Sequence, residues 1–249
     1  MEKYFFEAFK NMDRLGPGMT ECTIEAISHI EKSKPVSILD IGCGIGTHTF
    51  ILESELENAQ IVAIDNNEDY ISKLNNTVKQ KGLTNRVKGI CMSMFEMTFE
   101  DKSFDYIFAE GAIYIAGFTN GLADWKRLLK KDGMLICSEI SWIVDKPSEK
   151  PKAFWEEVYP QIDSIANKIH QAEELKYKEI GYFILPIVAW TDNYYVPLSR
   201  NLEKMKEKYV TNTEALEVIS IIQQEIDLYY EFDNEYSYVF YVLQVKSSH

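Results

Sequence analysis

The stretch DIGCGIGTHTF, residues 40–50, follows directly on the apolar run VSIL at 36–39, and its reading decides the fold. Gly42, Gly44 and Gly46 remove Cβ atoms where an apolar strand must turn sharply, and Thr47–Phe50 open a segment with helical spacing. A strand feeding a helix through bare backbone is a cradle on which a ligand can lie. What the cradle holds is decided by the residues around it.

Working outward, apolar runs at 36–41, 60–65, 86–92, 104–110 and 134–140 read as strands. Between them THTFILESELEN, NEDYISKLNNTVKQKG and GLADWKRLLKKDG carry apolar residues three and four apart and read as helices, with Gly82 and Asp132-Gly133 as their stops. Strict alternation of this kind predicts a parallel sheet covered by helices on both faces, which binds ligands at the carboxyl ends of its strands. Before the sheet, Tyr4, Phe5, Ala8, Phe9 and Met12 trace one face of a short helix, and a Gly-Pro-Gly turn leads to a second. After residue 141 the pattern loosens. A helical stretch broken at Pro160, a sixth strand at KEIGYFILP, two further helices and a final strand YSYVFYVLQV follow. The chain reads as one domain, 1–249, with N-terminal lid helices at 1–34, a cofactor-binding core at 35–141 and a C-terminal part at 142–249.

With 249 residues, 46% of them hydrophobic and 26% charged, the chain can bury a large single core. A net charge of −13 repels a phosphate backbone and an anionic membrane, so neither nucleic acid nor membrane is expected as a partner. The lysine-rich KRLLKK and LEKMKEKY read as solvated helix faces. Cys22, Cys43, Cys91 and Cys137 form no CxxC pair and no Cys/His cluster at metal-ligand spacing, so no metal is expected and reduced thiols suit a cytoplasmic protein. The N-terminal MEKYFFEAFKNMD has no basic, apolar and small-residue succession of a leader.

A dinucleotide fingerprint wants a third small residue where Thr47 stands, which weakens a nicotinamide reading, and no phosphate-loop G-x-x-x-x-G-K-[ST] occurs. The D-x-G-x-G-x-G spelling instead resembles the first motif of the class I S-adenosylmethionine-dependent methyltransferases. The resemblance continues through Asp65 in VAIDNN, through SFDYIFAEGAIY and WKRLLKKDGMLICSE, and to the last strand. It is firm over residues 36–141. The small-molecule branch related to quinone-biosynthesis C-methyltransferases (type 11/25 methyltransferase domains) is nearest, and RLGPGMTECT, EGAIYIAGF and FILPIVAWTDNYY look like a group of bacterial methyltransferases of unnamed acceptor.

The resemblance implies a Rossmann-like α/β fold: a seven-stranded, mostly parallel sheet with an antiparallel last strand, helices on both faces and an added helical cap. It implies S-adenosylmethionine as cofactor, S-adenosylhomocysteine as product, and no metal. Asp65 and Asn66 would meet the ribose, Gly42, Cys43, Gly44 and Gly46 the methionine portion, and Asp40 would orient the loop. Ser93 and Met94 would meet adenine, Glu110 and Gly111 the ammonium end, and Arg14 to Met19, Gly18 among them, would form a lid near the carboxylate. Methyl transfer is an in-line displacement in which alignment matters most. Tyr114, past the fourth strand, is the expected catalytic contact with the acceptor. The aromatic residues Trp142, Trp190, Tyr194 and Tyr195 are the expected substrate-binding wall, so the acceptor is expected to be small and aromatic or apolar. A non-catalytic cofactor-binding module is the alternative, with an RNA or protein methyltransferase behind it. A homodimer is left open.

Overall fold

The computed structural model describes residues 1–246. Strand β1 (Val36–Ile41) is covered on both faces: Val36 and Ile38 enter one core, Leu39 and Ile41 the other. Strands β2 (Ala59–Asp65) and β4 (Phe104–Ala109) flank it in parallel. Beyond them lie β3 (Val87–Cys91) and β5 (Leu129–Trp142), also parallel. The last strand, β8 (Tyr236–Val245), runs antiparallel between β5 and β7 (Tyr177–Ile184), so the order across the sheet is β3-β2-β1-β4-β5-β8-β7. These seven strands and the antiparallel last one are those the sequence predicts.

One core lies between the sheet and α2 (Thr20–Ile27), α3 (Thr47–Glu55) and α4 (Glu68–Gln80), and continues under α10 (Val196–Lys208) and α11 (Thr213–Phe232). The other lies between the opposite face and α6 (Phe118–Trp125) and α8 (Ile165–Glu174). The N-terminal α1 (Glu2–Ala8) does not dock on the sheet. It packs on α10 and α11, where Tyr4 meets Tyr209 edge-on at 5.1 Å and its hydroxyl accepts from Asn212 Nδ2 at 2.8 Å. Short helices α5 (Ile113–Ala116), α7 (Glu149–Val158) and α9 (Ile187–Trp190) complete the covering, and a π-helical turn, Thr191–Tyr195, joins α9 to α10.

Two expectations are corrected. Asp132-Gly133 does not end a helix: α6 stops at Trp125, one 3-10 turn follows, and β5 begins at Leu129. Asp132 adopts a φ of 60° inside the strand, and the β4–β5 register shifts between Phe104 and Tyr106, so the dipeptide marks a bulge. KRLLKK is therefore no helix face. Leu128 and Leu129 are both buried, and Lys130 Nζ reaches Asp105 at 2.8 Å across to β4, so tertiary burial overrides local helix propensity. A two-residue strand, β6 (Asp163–Ser164), also pairs with Ser141 and Trp142 after β4 has ended, and it was invisible at that length.

Candidate active site

The carboxyl ends of β1, β2, β3 and β4 converge on a cavity of about 360 Å³, within the size range of small-ligand sites. Its floor is the turn after β1. Gly42 has a φ of 72°, and a Cβ there would lie 2.5 Å from the Cβ of Ala112, so the turn and the segment after β4 touch only because glycine is present. The Gly42 and Cys43 N–H groups donate to Ile64 O at 2.9 and 3.0 Å, which pins the turn to the end of β2.

Asp65 closes β2 and stands on the cavity wall. Its Oδ2 accepts from Gly44 N–H at 3.0 Å and its Oδ1 from Asn67 N–H at 2.9 Å, while Asn67 caps α4 through Asp69 and Tyr70 N–H. A carboxylate offers about four lone-pair sites, so both oxygens retain capacity toward the cavity. Beside it Asn66, Tyr70, Met92, Ser93, Met94 and Phe95 form one end of the wall, with Phe95 66% exposed.

The other end carries Arg14, His48 and Glu110. Glu110, just past β4, is buried; its Oε2 accepts from Thr23 Oγ1 at 3.1 Å and its Oε1 has no partner. Burial foremost, with Asp40 adding to it against the pull of Arg14, pushes the Glu110 carboxyl up to about 8. Arg14 Nη1 donates to His48 Nε2 at 2.6 Å. Burial, aided by the Arg14 charge, drops His48 to about 3, so the ring is neutral and its 3.3 Å approach to Glu110 Oε2 is no ion pair. With Nε2 accepting, the ring proton sits on Nδ1, and an un-ionised Glu110 removes the lone-pair conflict between Nε2 and Oε2.

Of the residues singled out from the sequence, Arg14, Gly42, Cys43, Gly44, Asp65, Asn66, Ser93, Met94, Glu110, Gly111 and Tyr114 share this one cavity. Asp40 does not reach its wall. It is buried behind the turn, accepts from Thr49 Oγ1 at 2.6 Å and is raised to about 6 by desolvation, so it ties α3 to β1. Gly46 also lies off the wall. It caps α3 with a φ of 94°, and Leu74 and Phe50 close in at 3.0 Å from where its Cβ would be. Gly18 sits behind Arg14 and donates to Ala189 O at 3.2 Å.

The expected aromatic wall is a core instead. Trp190 is 2% exposed, stacks on Tyr229 at 4.5 Å and on Tyr238 at 5.2 Å, and donates to Ser237 Oγ at 3.0 Å. Tyr194 and Tyr195 are buried in the π-helical turn, and Trp142 packs edge-on against Tyr236. None of the four lines the cavity. Sequence reasoning missed Phe6, Asp13 and Thr47, which with Leu15 bring the N-terminal segment over the site; Thr47 Oγ1 donates to Asp13 O. The Gly16-Pro17-Gly18 turn was the available signal, since it forces the chain to double back there.

The model of a family described as a methyltransferase domain matches residues 32–182, more than half of the chain. A sterol 24-C-methyltransferase of Schizosaccharomyces pombe is 28% identical over 185 residues, covering 69% of this chain and 48% of that protein. A demethylmenaquinone methyltransferase of Bacteroides fragilis is 26% identical over 118 residues, covering 47% and 48%. The chain thus spans about half the length of the curated relatives it matches. A crystal structure of an S-adenosylmethionine-dependent methyltransferase from Thiobacillus denitrificans, in complex with S-adenosylhomocysteine, superposes with a TM-score of 0.83 over 99% of both chains at 15% identity. Among the described residues no cluster of three His, Cys, Asp or Glu could hold a metal, and no helix is long and apolar enough to cross a membrane.

Proposed function

The chain belongs to the methyltransferase-domain family of class I fold, and from that premise we propose that it moves a methyl group from S-adenosylmethionine to a small acceptor. The observation that carries this reading is the complementarity of the two cavity ends: Asp65 at one and the orphaned Oε1 of buried Glu110 at the other, joined by a glycine floor. A nucleoside linked to an amino acid needs that pairing. Asp65 would accept from the ribose diol, Glu110 and nearby carbonyls from the ammonium, and Arg14 would face the carboxylate. Ser93, Met94 and Phe95 would enclose the base.

The cofactor supplies a methyl carbon already activated by its sulfonium, so the protein's task is alignment and exclusion of water. Tyr114 stands on the cavity wall, 42% exposed, in edge-on contact with Tyr159 at 6.2 Å. Desolvation, then the Glu225 and Glu139 carboxylates, raises its phenol above the ordinary tyrosine range, so at neutral pH it donates a proton in a hydrogen bond and does not act as a base. Tyr114 is therefore assigned to hold the acceptor. Residues 1–34 are assigned as the lid, with Phe6 and the Asp13–Pro17 turn over the cofactor. A small aromatic or apolar acceptor in the cytoplasm, with nucleic acid disfavoured by the −13 charge, completes the reading.

Parallel calorimetric titrations with S-adenosylmethionine, S-adenosylhomocysteine and NAD test it. The two sulfur compounds bind and NAD does not, and Asp65→Ala weakens both by about tenfold or more, the loss of a charge-assisted hydrogen-bond pair. An unchanged dissociation constant in that variant removes the ribose assignment. Cofactor binding without turnover on any acceptor favours the non-catalytic module.

A further inference from the structure

Helix α1 buries Tyr4 and Ala8 against α10 and α11, and Asn201 Nδ2 holds its end by donating to Ala8 O and Lys10 O at 2.8 and 3.0 Å. Held there, it leaves between itself and α4 a second cavity, of about 660 Å³. Lys3, Phe6 and Lys10, three and four residues apart, share the face of the N-terminal segment that lines this cavity; Tyr70 and Lys73 line it from α4. Phe6, Asp13, Leu15, Ile45 and Tyr70 belong to the wall of the first cavity as well, so the two spaces meet along them.

The lining has two chemical halves. Three lysines gather on one concavity of a chain whose net charge is −13. Asp13 and Asp69 line it too, yet among the described residues no acid forms an ion pair with Lys3, Lys10 or Lys73. Glu7, the acid closest to Lys10 along the helix, is engaged elsewhere: it accepts from Lys208 Nζ and from the Tyr209 hydroxyl, each at 2.6 Å. Like charges brought to one concavity by two elements repel, and a bound anion removes that cost. The other half is apolar. Phe6 is 50% exposed although it stands where the two cavities meet, a surface that an apolar ligand body would cover.

We infer that the cavity between α1 and α4 binds a small carboxylate or phosphate carried on an apolar or aromatic body, Lys10 and Lys73 meeting the anion from the two sides and Phe6 meeting the body. The site itself does not depend on the methyl-transfer reading; its consequence for the cofactor does. A ligand that touches residues 3–15 and the core at once holds the lid over the first cavity, so it and the cofactor tighten each other's binding reciprocally. A membrane surface fits less well, since the lysines line a concavity and the −13 charge opposes an anionic bilayer.

The test titrates the full chain calorimetrically with benzyl phosphate, benzyl alcohol and inorganic phosphate, each with and without saturating S-adenosylhomocysteine. Benzyl phosphate binds about tenfold or more tightly than either of the other two, and Lys10→Gln/Lys73→Gln weakens it by about tenfold or more. Both lysines are exposed, so that variant keeps the parent's urea midpoint, and Lys178→Gln, at an exposed lysine of β7, leaves benzyl phosphate binding unchanged. Saturation with S-adenosylhomocysteine strengthens benzyl phosphate binding. Equal binding of benzyl phosphate and benzyl alcohol, no loss in the double variant, or the same loss in Lys178→Gln overturns the site. Displacement of benzyl phosphate by S-adenosylhomocysteine overturns it as well, by placing the probe in the first cavity, and an affinity that S-adenosylhomocysteine leaves unchanged overturns the coupling. Capture of the chain by phosphatidylserine vesicles without benzyl phosphate binding makes the lysines a membrane contact and also overturns the site. If S-adenosylhomocysteine does not bind the unmodified chain, the methyl-transfer reading fails, while the lysine dependence of benzyl phosphate binding still decides the site.

Discussion

Glu110→Gln should make the protein more stable and bind its cofactor less well. The folded-state carboxyl is raised from 4.5 to about 8, with burial the first cause, so the native fold holds a proton that the unfolded chain has released. A raised carboxyl pKa removes stability as pH climbs from the unfolded value to the folded one, and the loss then levels off. At pH 7 the interval above 4.5 is 2.5 units, which at 1.36 kcal/mol per unit is about 3 kcal/mol. Glutamine keeps the shape and the acceptor for Thr23, and it cannot ionise. Urea unfolding of both proteins at pH 4.5, 6, 7 and 8.5 should show a gain near zero at the lowest pH, about 3 kcal/mol at pH 7 and a plateau at the highest. Affinity for S-adenosylmethionine should fall by about tenfold or more, since a neutral amide replaces the acceptor for the ammonium. A stability difference that does not vary with pH refutes the assignment of Glu110 as a buried, un-ionised acid in the free protein.

Three other perturbations follow from distances on the same page of the fold. Gly42→Ala places a methyl group 2.5 Å from Ala112 Cβ at a φ of 72°, so a loss of about 2 kcal/mol or more in urea unfolding and abolished cofactor binding are expected; a fully stable variant contradicts the tight turn. Lys168→Met strands Glu139, both side chains being 0% exposed, and should cost about 3–5 kcal/mol, most of it recovered in Lys168→Met/Glu139→Gln; a double variant no better than the single one refutes the pairing account. Thr49→Val removes the 2.6 Å bond that favours ionised Asp40, so the midpoint of Asp40 titration, followed by carboxylate NMR, should move up from about 6; an unmoved midpoint would show that Thr49 does not bias it.

The central sheet was legible because its strands obey one rule along their length. Val36 and Ile38 face one way and Leu39 and Ile41 the other, and in β8 Phe240 and Val242 oppose Val239, Tyr241 and Leu243. The cradle was legible because glycine at positive φ leaves its mark in spelling, as at Gly42, Gly44 and Gly46. What failed was anything set by contacts distant in sequence. Asp132-Gly133 spells a turn whether it ends a helix or bulges a strand, and only pairing with Phe104 and Tyr106 decides between them. Trp190, Tyr194 and Tyr195 are aromatic whether they face ligand or core; the stack on Tyr229 and Tyr238, some forty residues on, buries Trp190. Likewise Asp40 and Gly46 belong to the motif but serve the turn from behind, a distinction between supporting and touching that spacing alone does not carry.

Four carboxyl groups lie in low-dielectric surroundings in this chain, and each is compensated differently: Asp40 has one hydroxyl, that of Thr49 at 2.6 Å. Glu139 has its cation built in, and Tyr159 donates to it as well at 2.6 Å, so its charge is spent on holding α8 to the sheet. Glu110 has a guanidinium nearby, but Arg14 spends its 2.6 Å hydrogen bond on His48, and Oε1 is left buried without a partner. Glu225 has a phenol and no cation among the described residues. A chain of net charge −13 has acidic residues enough to place on its surface, and an uncompensated carboxylate inside works against the fold. Glu110 stands beside the glycine floor on the cavity wall, where the proposed reading puts the ammonium of the methyl donor.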